Sequence, residues 1–120
     1  MSDVTIWHNP RCSTSRATLS LLEQHGLQPE IVEYLKTPPS AAQLKTVLKE
    51  LHMRPRELMR KKEAIYKELG LDAESLTDDK LVQAMVDNPI LIERPVVLFG
   101  KRAALGRPPE NVLDLFNDMG

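Results

Sequence analysis

Apolar and polar positions along the chain alternate between two periods, one of strands and one of helices. Val4-Thr5-Ile6-Trp7 has the β-branched and aromatic content of a short strand. Ala17, Leu21 and Leu22 then begin an apolar helical spacing that runs toward His25-Gly26, where Gly26 reads as a C-cap. Glu30-Ile31-Val32-Glu33-Tyr34 is a second short strand with charge near both ends. Strand, helix and strand in that order form a βαβ unit, so these two strands should be parallel. Lys36-Thr37-Pro38-Pro39 is a turn, and Ser40-Ala41-Ala42-Gln43 has the form of a capping box. Leu44, Val47, Leu48 and Leu51 follow at i, i+3, i+4 and i+7, the clearest helical pattern in the chain.

Met53-Arg54-Pro55 separates that helix from the next, a segment with Leu58, Ile65 and Leu69 on one side, ended by Gly70. Arg60, Lys61 and Lys62 lie within it and read by themselves as a solvated face. A third helix starts at a Thr77 cap with Asp78 and Asp79 in its first turn, buries Leu81, Ala84 and Met85, and closes at Asn88-Pro89. The strand Val96-Val97-Leu98-Phe99 turns at Gly100-Lys101 into Arg102-Ala103-Ala104-Leu105. Gly106-Arg107-Pro108-Pro109-Glu110 opens a last helix whose inner face is Val112, Leu113, Phe116 and Met119. The order is β-α-β, helical insertion, β-β-α, compatible with an α/β, thioredoxin-like layered domain built on a four-stranded mixed sheet. Residues 1–120 read as a single domain with the helical insertion at about 40–88. Pro95, directly before a strand and facing the first loop, is a candidate for a cis bond.

Composition narrows the classes. The 120 residues suffice for one domain with a core, and 42% hydrophobic with 28% charged is ordinary globular usage. A net charge of −1 gives no bulk basic field toward nucleic acid. With no apolar run of spanning length and no signal peptide, the expectation is a cytoplasmic protein that neither crosses nor binds a membrane. One cysteine cannot close an internal disulfide or build a structural zinc cluster, and His8, His25 and His52 have no metal-ligand spacing. No metal is expected. His25 and His52 read as surface or helix-end residues.

The chemistry concentrates in His8-Asn9-Pro10-Arg11-Cys12-Ser13-Thr14-Ser15-Arg16. Cys12 sits in a strand-to-helix loop, at or beside a helix N-terminus, with Ser13 and Thr14 as natural caps. A lone cysteine is more often an inert buried hydrophobe than a nucleophile. Here free N–H groups, the positive end of the helix dipole, Arg11 and Arg16 favour thiolate over thiol. Spacing then excludes familiar chemistries. A phosphate-loop phosphatase needs Cys-x5-Arg, whereas Cys12 to Arg16 is Cys-x3-Arg. A dithiol oxidoreductase needs Cys-x-x-Cys, whereas Ser15 occupies the second position, so a redox cycle must borrow a thiol. A cysteine hydrolase needs a base with an orienting acid, and no acid accompanies His8 in the loop. His8 either tunes the thiolate and orients the loop, or is a strand-end histidine bonded to backbone.

At this point the loop resembles the active-site loop of the glutaredoxin-linked arsenate reductase family. Tyr34-Leu35-Lys36-Thr37-Pro38-Pro39, Leu58-Met59-Arg60-Lys61, Glu68-Leu69-Gly70-Leu71, Asn88-Pro89-Ile90-Leu91-Ile92-Glu93-Arg94-Pro95 and Gly106-Arg107-Pro108 also resemble its signatures, in the right order along nearly the whole chain. The resemblance implies a thioredoxin-like fold with a helical insertion and a cis proline at Pro95. It implies Cys12 as the nucleophile and Arg60, Arg94 and Arg107 as ligands of the oxyanion, with His8 and Ser15 supporting the thiolate. It implies reduction of arsenate to arsenite through a covalent Cys12 adduct, with no bound cofactor, glutathione as co-substrate and glutaredoxin as partner. Longer, resistance-type members carry an additional C-terminal tail, whereas this sequence stops at Gly120, after every matched site residue. Two alternatives stand beside it. A monothiol glutathione-dependent oxidoreductase would use Cys12 without needing three arginines, and a redox-sensing regulator of RNA polymerase would ordinarily carry Cys-x-x-Cys.

Overall fold

The computed structural model describes residues 3–119, with no account of the side chains at 117–119. Strand β1 (Val4–Trp7) is followed by helix α1 (Ser13–Gln24) and β2 (Glu30–Val32). Four helices, α2 (Ala41–Leu51), α3 (Pro55–Leu58), α4 (Ala64–Glu68) and α5 (Asp78–Asp87), precede a 3-10 turn at Pro89–Leu91. Strands β3 (Val96–Phe99) and β4 (Arg102–Leu105) and a 3-10 helix at Pro109–Met119 complete the order. The chain divides into two compact units, Met1–Thr37 with Arg94–Gly120, and Pro38–Glu93.

The first unit holds the sheet, in the order β2-β1-β3-β4. Strands β1 and β2 are parallel, as the intervening helix requires, while β1–β3 and β3–β4 are antiparallel. The sheet is therefore four-stranded and mixed, as expected. Val4, Ile6 and Val97 pack with Leu22 of α1 and with Val112 and Leu115 of the last helix, and Phe99 and Phe116 pack against it with their rings tilted and centroids 4.9 Å apart. The period of two puts Val4 and Ile6 on one face of β1. The β3–β4 hairpin turns on two residues, and Gly100 takes φ +60, a conformation that costs glycine nothing.

Several expectations need correction. Strand β2 stops at Val32, not Tyr34, because the chain turns there: the N–H groups of Lys36 and Thr37 both bond the Glu33 carbonyl. Tyr34 is fully buried in that turn, while Ile31 of the edge strand is exposed. The inner face of α1 is Ser15, Thr18 and Leu22, and Ala17 points outward. A polar inner face defeats a hydrophobic-period reading. Ser13 and Thr14 do not cap the helix with their side chains; Cys12 itself is the N-cap. The last helix is 3-10 along its length and buries Leu115, which the spacing missed, beside Val112. Met119, expected on that inner face, has a side chain outside the described residues.

In the second unit, Ser40 and Thr77 cap α2 and α5 through bonds from Gln43 N and Lys80 N, as their sequences dictate. Leu44, Val47 and Leu48 are buried on α2, and Leu81, Val82 and Met85 on α5. His25 and His52 are the C-cap residues of α1 and α2 and both are exposed. The expected helix through Leu58, Ile65 and Leu69 is instead two short ones. Between them, Met59 makes an antiparallel bridge to Ile92, with Arg60 N bonded to Leu91 O and Glu93 N to Leu58 O. Tyr66 and Leu71 are buried there, and Leu69 is exposed. A long-range pairing overrides the local helical preference. No helix among the described residues is long and apolar enough to cross a membrane.

Candidate active site

The loop after β1 is built by its own polar groups. The ladder with β2 continues one residue past the strand, where His8 N bonds Val32 O at 2.8 Å. Asn9 then folds the turn: its Oδ1 accepts from Arg11 N at 3.0 Å, and its carbonyl accepts from Cys12 N at 3.0 Å. Ser15, fully buried on the first turn of α1, ties the loop from the other side. Its Oγ lies 2.6 Å from His8 Nδ1 and accepts from Asn9 N at 3.1 Å. His8 and Asn9 are both buried. Sequence reading missed Asn9; its signal was an asparagine side chain two residues before the N–H it accepts.

These bonds hold Cys12 at the N-cap of α1 in extended backbone, with no side chain of its own capping the helix. Its thiol is half-buried. Burial pushes the thiol pKa up, but the Ser15 N–H, a hydrogen bond and positive charge from Arg94, and the Thr14 N–H outweigh it, so the pKa lies below the ordinary value. The nearby cations expected from sequence, Arg11 and Arg16, are not the ones that lower it. Both are exposed, and Arg16 donates from Nη1 to Pro10 O at 2.8 Å. The charge comes from Arg94, far along the chain. Ser15 contributes its backbone N–H to the thiolate and its hydroxyl to the loop. The His8 pKa is lowered, first by burial and also by Arg16, with Glu33 opposing. A neutral His8 is no positive neighbour for the thiolate.

Arg107 Nη2 lies 3.6 Å from Cys12 Sγ, and its Nε donates to Arg94 O at 2.8 Å. The geometry behind this is a close approach. Gly106 N donates to Pro95 O at 2.9 Å, and a Cβ on Gly106 would stand 2.7 Å from Thr18 Oγ1 and 2.8 Å from Pro95 Cγ. Only glycine lets the Arg107 segment lie against both α1 and Pro95. The Arg94-Pro95 peptide is cis, as the sequence suggested, and Arg107-Pro108 is cis as well, which the sequence reading did not anticipate. Arg94, Arg107 and Cys12 thus come together in the first unit.

Arg60 belongs to the second unit and is engaged there. Its Nε bonds Glu63 Oε2 at 3.0 Å and its Nη1 bonds Glu93 Oε1 at 2.6 Å. Burial works against its charge, but the two carboxylates outweigh burial and raise its pKa. Neither glutamate was singled out from sequence, although Glu63 stands at i+3 from Arg60. Among the described residues no group of three or more His, Cys, Asp or Glu side chains could hold a metal ion. What the first unit offers is a sulfur nucleophile with two guanidinium groups beside it, a setting for attack on a tetrahedral oxyanion.

Comparison with known proteins agrees with that chemistry. The family model described as the ArsC family matches residues 7–115. Arsenate reductase of Neisseria meningitidis serogroup A is 50% identical over 113 residues, 93% of this chain and 97% of that one. Uncharacterized protein YfgD of Escherichia coli K12 is 57% identical over 113 residues, 93% of this chain and 95% of that one. The solved arsenate reductase of Vibrio cholerae superposes with a TM-score of 0.91 at 49% identity, covering 92% of this chain and 95% of that one. A match over most of the length, with the same α/β arrangement in the solved relative, identifies the mixed sheet and its helices as the thioredoxin-like fold and places this chain in the ArsC family.

Proposed function

We propose that the chain is an arsenate reductase, an oxidoreductase that converts arsenate to arsenite with electrons from glutathione and glutaredoxin. The observation that carries this reading is Cys12 at the helix N-cap, with Arg94 hydrogen-bonded to its sulfur and Arg107 Nη2 3.6 Å away. Arsenate at neutral pH is a tetrahedral dianion, and guanidinium groups neutralise such an ion bidentately. Cys12 is the nucleophile, Arg94 and Arg107 are oxyanion ligands, and His8 and Ser15 are positioning residues that shape the loop. Arg60 is the third oxyanion ligand on the strength of its motif, and it must exchange carboxylate pairing for arsenate. Residues 1–120 then act as one domain, with the helical unit as the insertion at about 40–88.

In the reaction the Cys12 thiolate forms an S–As bond and one arsenate oxygen leaves as water. The arginines stabilise the charge that shifts onto the oxygens. Reduction to arsenite takes two electrons, and joining two thiols as a disulfide supplies two. The chain owns one thiol, so glutathione supplies the second and takes Cys12 into a mixed disulfide as arsenite leaves. Glutaredoxin removes the glutathione and restores Cys12. Such chemistry suits the reducing cytoplasm.

The experiment is staged. Arsenate alone should give at most a reversible Cys12 adduct and no free arsenite. Glutathione without glutaredoxin should give a glutathionylated chain that turns over slowly. With both, arsenite should be released repeatedly, and Cys12→Ser should lower the rate by about three orders of magnitude or more. Intact-mass spectrometry beside an arsenite assay follows each stage. Sustained arsenite release by the Cys12→Ser chain would overturn the mechanism. No arsenite from the wild type with both thiol partners present would overturn the activity.

A further inference from the structure

Besides Arg94 and Arg107, the loop and first helical turn that carry Cys12 hold two further arginines. Arg94 and Arg107 serve the sulfur and its substrate. Arg11 and Arg16 remain, on the residue before Cys12 and on the residue one helical turn after it. Both are exposed, and among the described residues no ion pair joins either of them to a carboxylate. They do not lower the thiol pKa either. Arg16 is nevertheless not a loose surface side chain. Positions i and i+4 share a helix face, Arg16 N bonds Cys12 O at 3.0 Å, and side chains on a helix lean toward its N-terminus. The Arg16 side chain follows that lean back over the loop, where its guanidinium is held by Pro10 O at 2.8 Å, and its charge is felt at His8. One nitrogen is used as an anchor, and the remaining donors of the fork are outside that bond.

We infer that Arg16, together with Arg11, recognises the carboxylates of the thiol co-substrate, so that Cys12 selects an anionic thiol peptide such as glutathione over an uncharged thiol. This rests on the reading of Cys12 as a redox nucleophile. The charge balance favours it. Arg94 and Arg107 are matched by the thiolate and the oxyanion. Glutathione brings two carboxylates of its own, and two exposed arginines belong to the Cys12 loop and the first turn of α1, one of them anchored on Pro10 O. A pre-anchored guanidinium loses less freedom on binding than a mobile one, so its contribution to recognition is larger.

The test uses exchange with a disulfide and needs no arsenic. The Cys12 thiolate attacks one sulfur of glutathione disulfide, the S–S bond breaks, one glutathione leaves as thiolate, and a Cys12–glutathione disulfide forms, with no net change in electrons. The same reaction with the disulfide of glutathione diethyl ester removes the carboxylate charges and keeps the peptide. The quantity read is the ratio of the two second-order rates, which cancels any change in the Cys12 thiolate itself. In the Arg11→Gln/Arg16→Gln chain this ratio should fall by about tenfold, and added salt should bring the wild-type ratio toward the variant's. Arg16→Gln alone should account for most of the fall. Circular dichroism of the variants verifies the fold. A ratio that the double variant leaves unchanged would overturn the inference, and so would a wild-type ratio indifferent to salt. The outcome separates from that of the arsenate assay: a falling ratio in a chain that releases no arsenite keeps the inference and removes the substrate, and an unchanged ratio in an active reductase does the reverse.

Discussion

Arg107 and Arg60 are both held in place, but by different partners. Arg107 is positioned by a neutral acceptor, the Arg94 carbonyl, and packs behind a glycine that admits no Cβ. Arg60 is positioned by two carboxylates, Glu63 and Glu93. A carbonyl acceptor fixes a guanidinium without bringing a negative charge of its own. Two carboxylates fix it and offset its positive charge. The comparison teaches that an arginine in a matching motif is not equivalent to an arginine ready for an anion. Under the proposed reaction Arg60 has to exchange Glu63 and Glu93 for the anion, whereas Arg107 already lies 3.6 Å from the Cys12 sulfur.

Removing each arginine in turn separates the two settings. Arg107→Ala and Arg94→Ala should each cost about 1.5–3 kcal/mol of transition-state stabilisation, on the order of 10–150-fold in kcat/KM for arsenate. Arg60→Ala should cost less in steady-state kinetics and more in chemical denaturation, because two half-buried carboxylates lose their partner. Equal kinetic losses at Arg60 and Arg107 would show that the carboxylates leave Arg60 completely when arsenate binds.

Backbone positioning can be broken without touching a charge. Gly106→Ala places a Cβ 2.7 Å from Thr18 Oγ1 and 2.8 Å from Pro95 Cγ. Overpacking of this kind should lower unfolding free energy by about 1–3 kcal/mol in a urea titration. It should also raise the KM for arsenate, because Arg107 is the next residue. Carboxylate positioning can be loosened in the opposite sense. Glu93→Gln leaves a hydrogen-bond acceptor but removes a charge, so KM for arsenate should fall by a few-fold, roughly the worth of a partly exposed pair. An unchanged KM would place Arg60 outside the anion's reach.

Proton titrations sharpen the difference further. Because the Cys12 pKa lies below the ordinary value, alkylation by iodoacetamide should stay fast at pH values below the free-thiol value of about 8.5 and fall only at lower pH. Arg94→Ala should move that fall upward, and Arg60→Ala should leave it in place. The smallest effect belongs to His8. Its folded pKa is lowered, so between that value and its unfolded value near 6.5 the unfolded chain binds more protons. Stability should therefore decline as pH falls from about 6.5 and level off below the folded value. Thermal melts across that range should lose this part of the slope in His8→Gln.

The linear sequence determined whatever depends on near neighbours. Periodicity placed β1, β3, β4 and the start of β2, the buried Leu44, Val47 and Leu48 of α2, and Leu81 and Met85 of α5, but it took Ala84 where Val82 is buried. The caps at Ser40 and Thr77 and the turn at Gly100 followed from side-chain and backbone preferences over three or four residues. The same locality placed Cys12 at a helix start, since a strand, a polar loop and an apolar helical spacing adjoin it. The motifs themselves were legible because residue identity is what carries them. Tertiary structure decided the rest. The face of α1 that holds Ser15 and Thr18 is buried for hydrogen bonding and close packing, which leave no hydrophobic period to read. The helix expected across Leu58 to Leu69 gave way to a bridge between Met59 and Ile92, a pairing of residues far apart in sequence. The charges that act on Cys12 are those of Arg94 and not of Arg11 and Arg16, because an electrostatic interaction depends on distance in space and on burial, and proximity along the chain supplies neither. For the same reason only the folded chain shows that Arg60 is paired with Glu63 and Glu93 and that Arg107 lies beside the Cys12 sulfur.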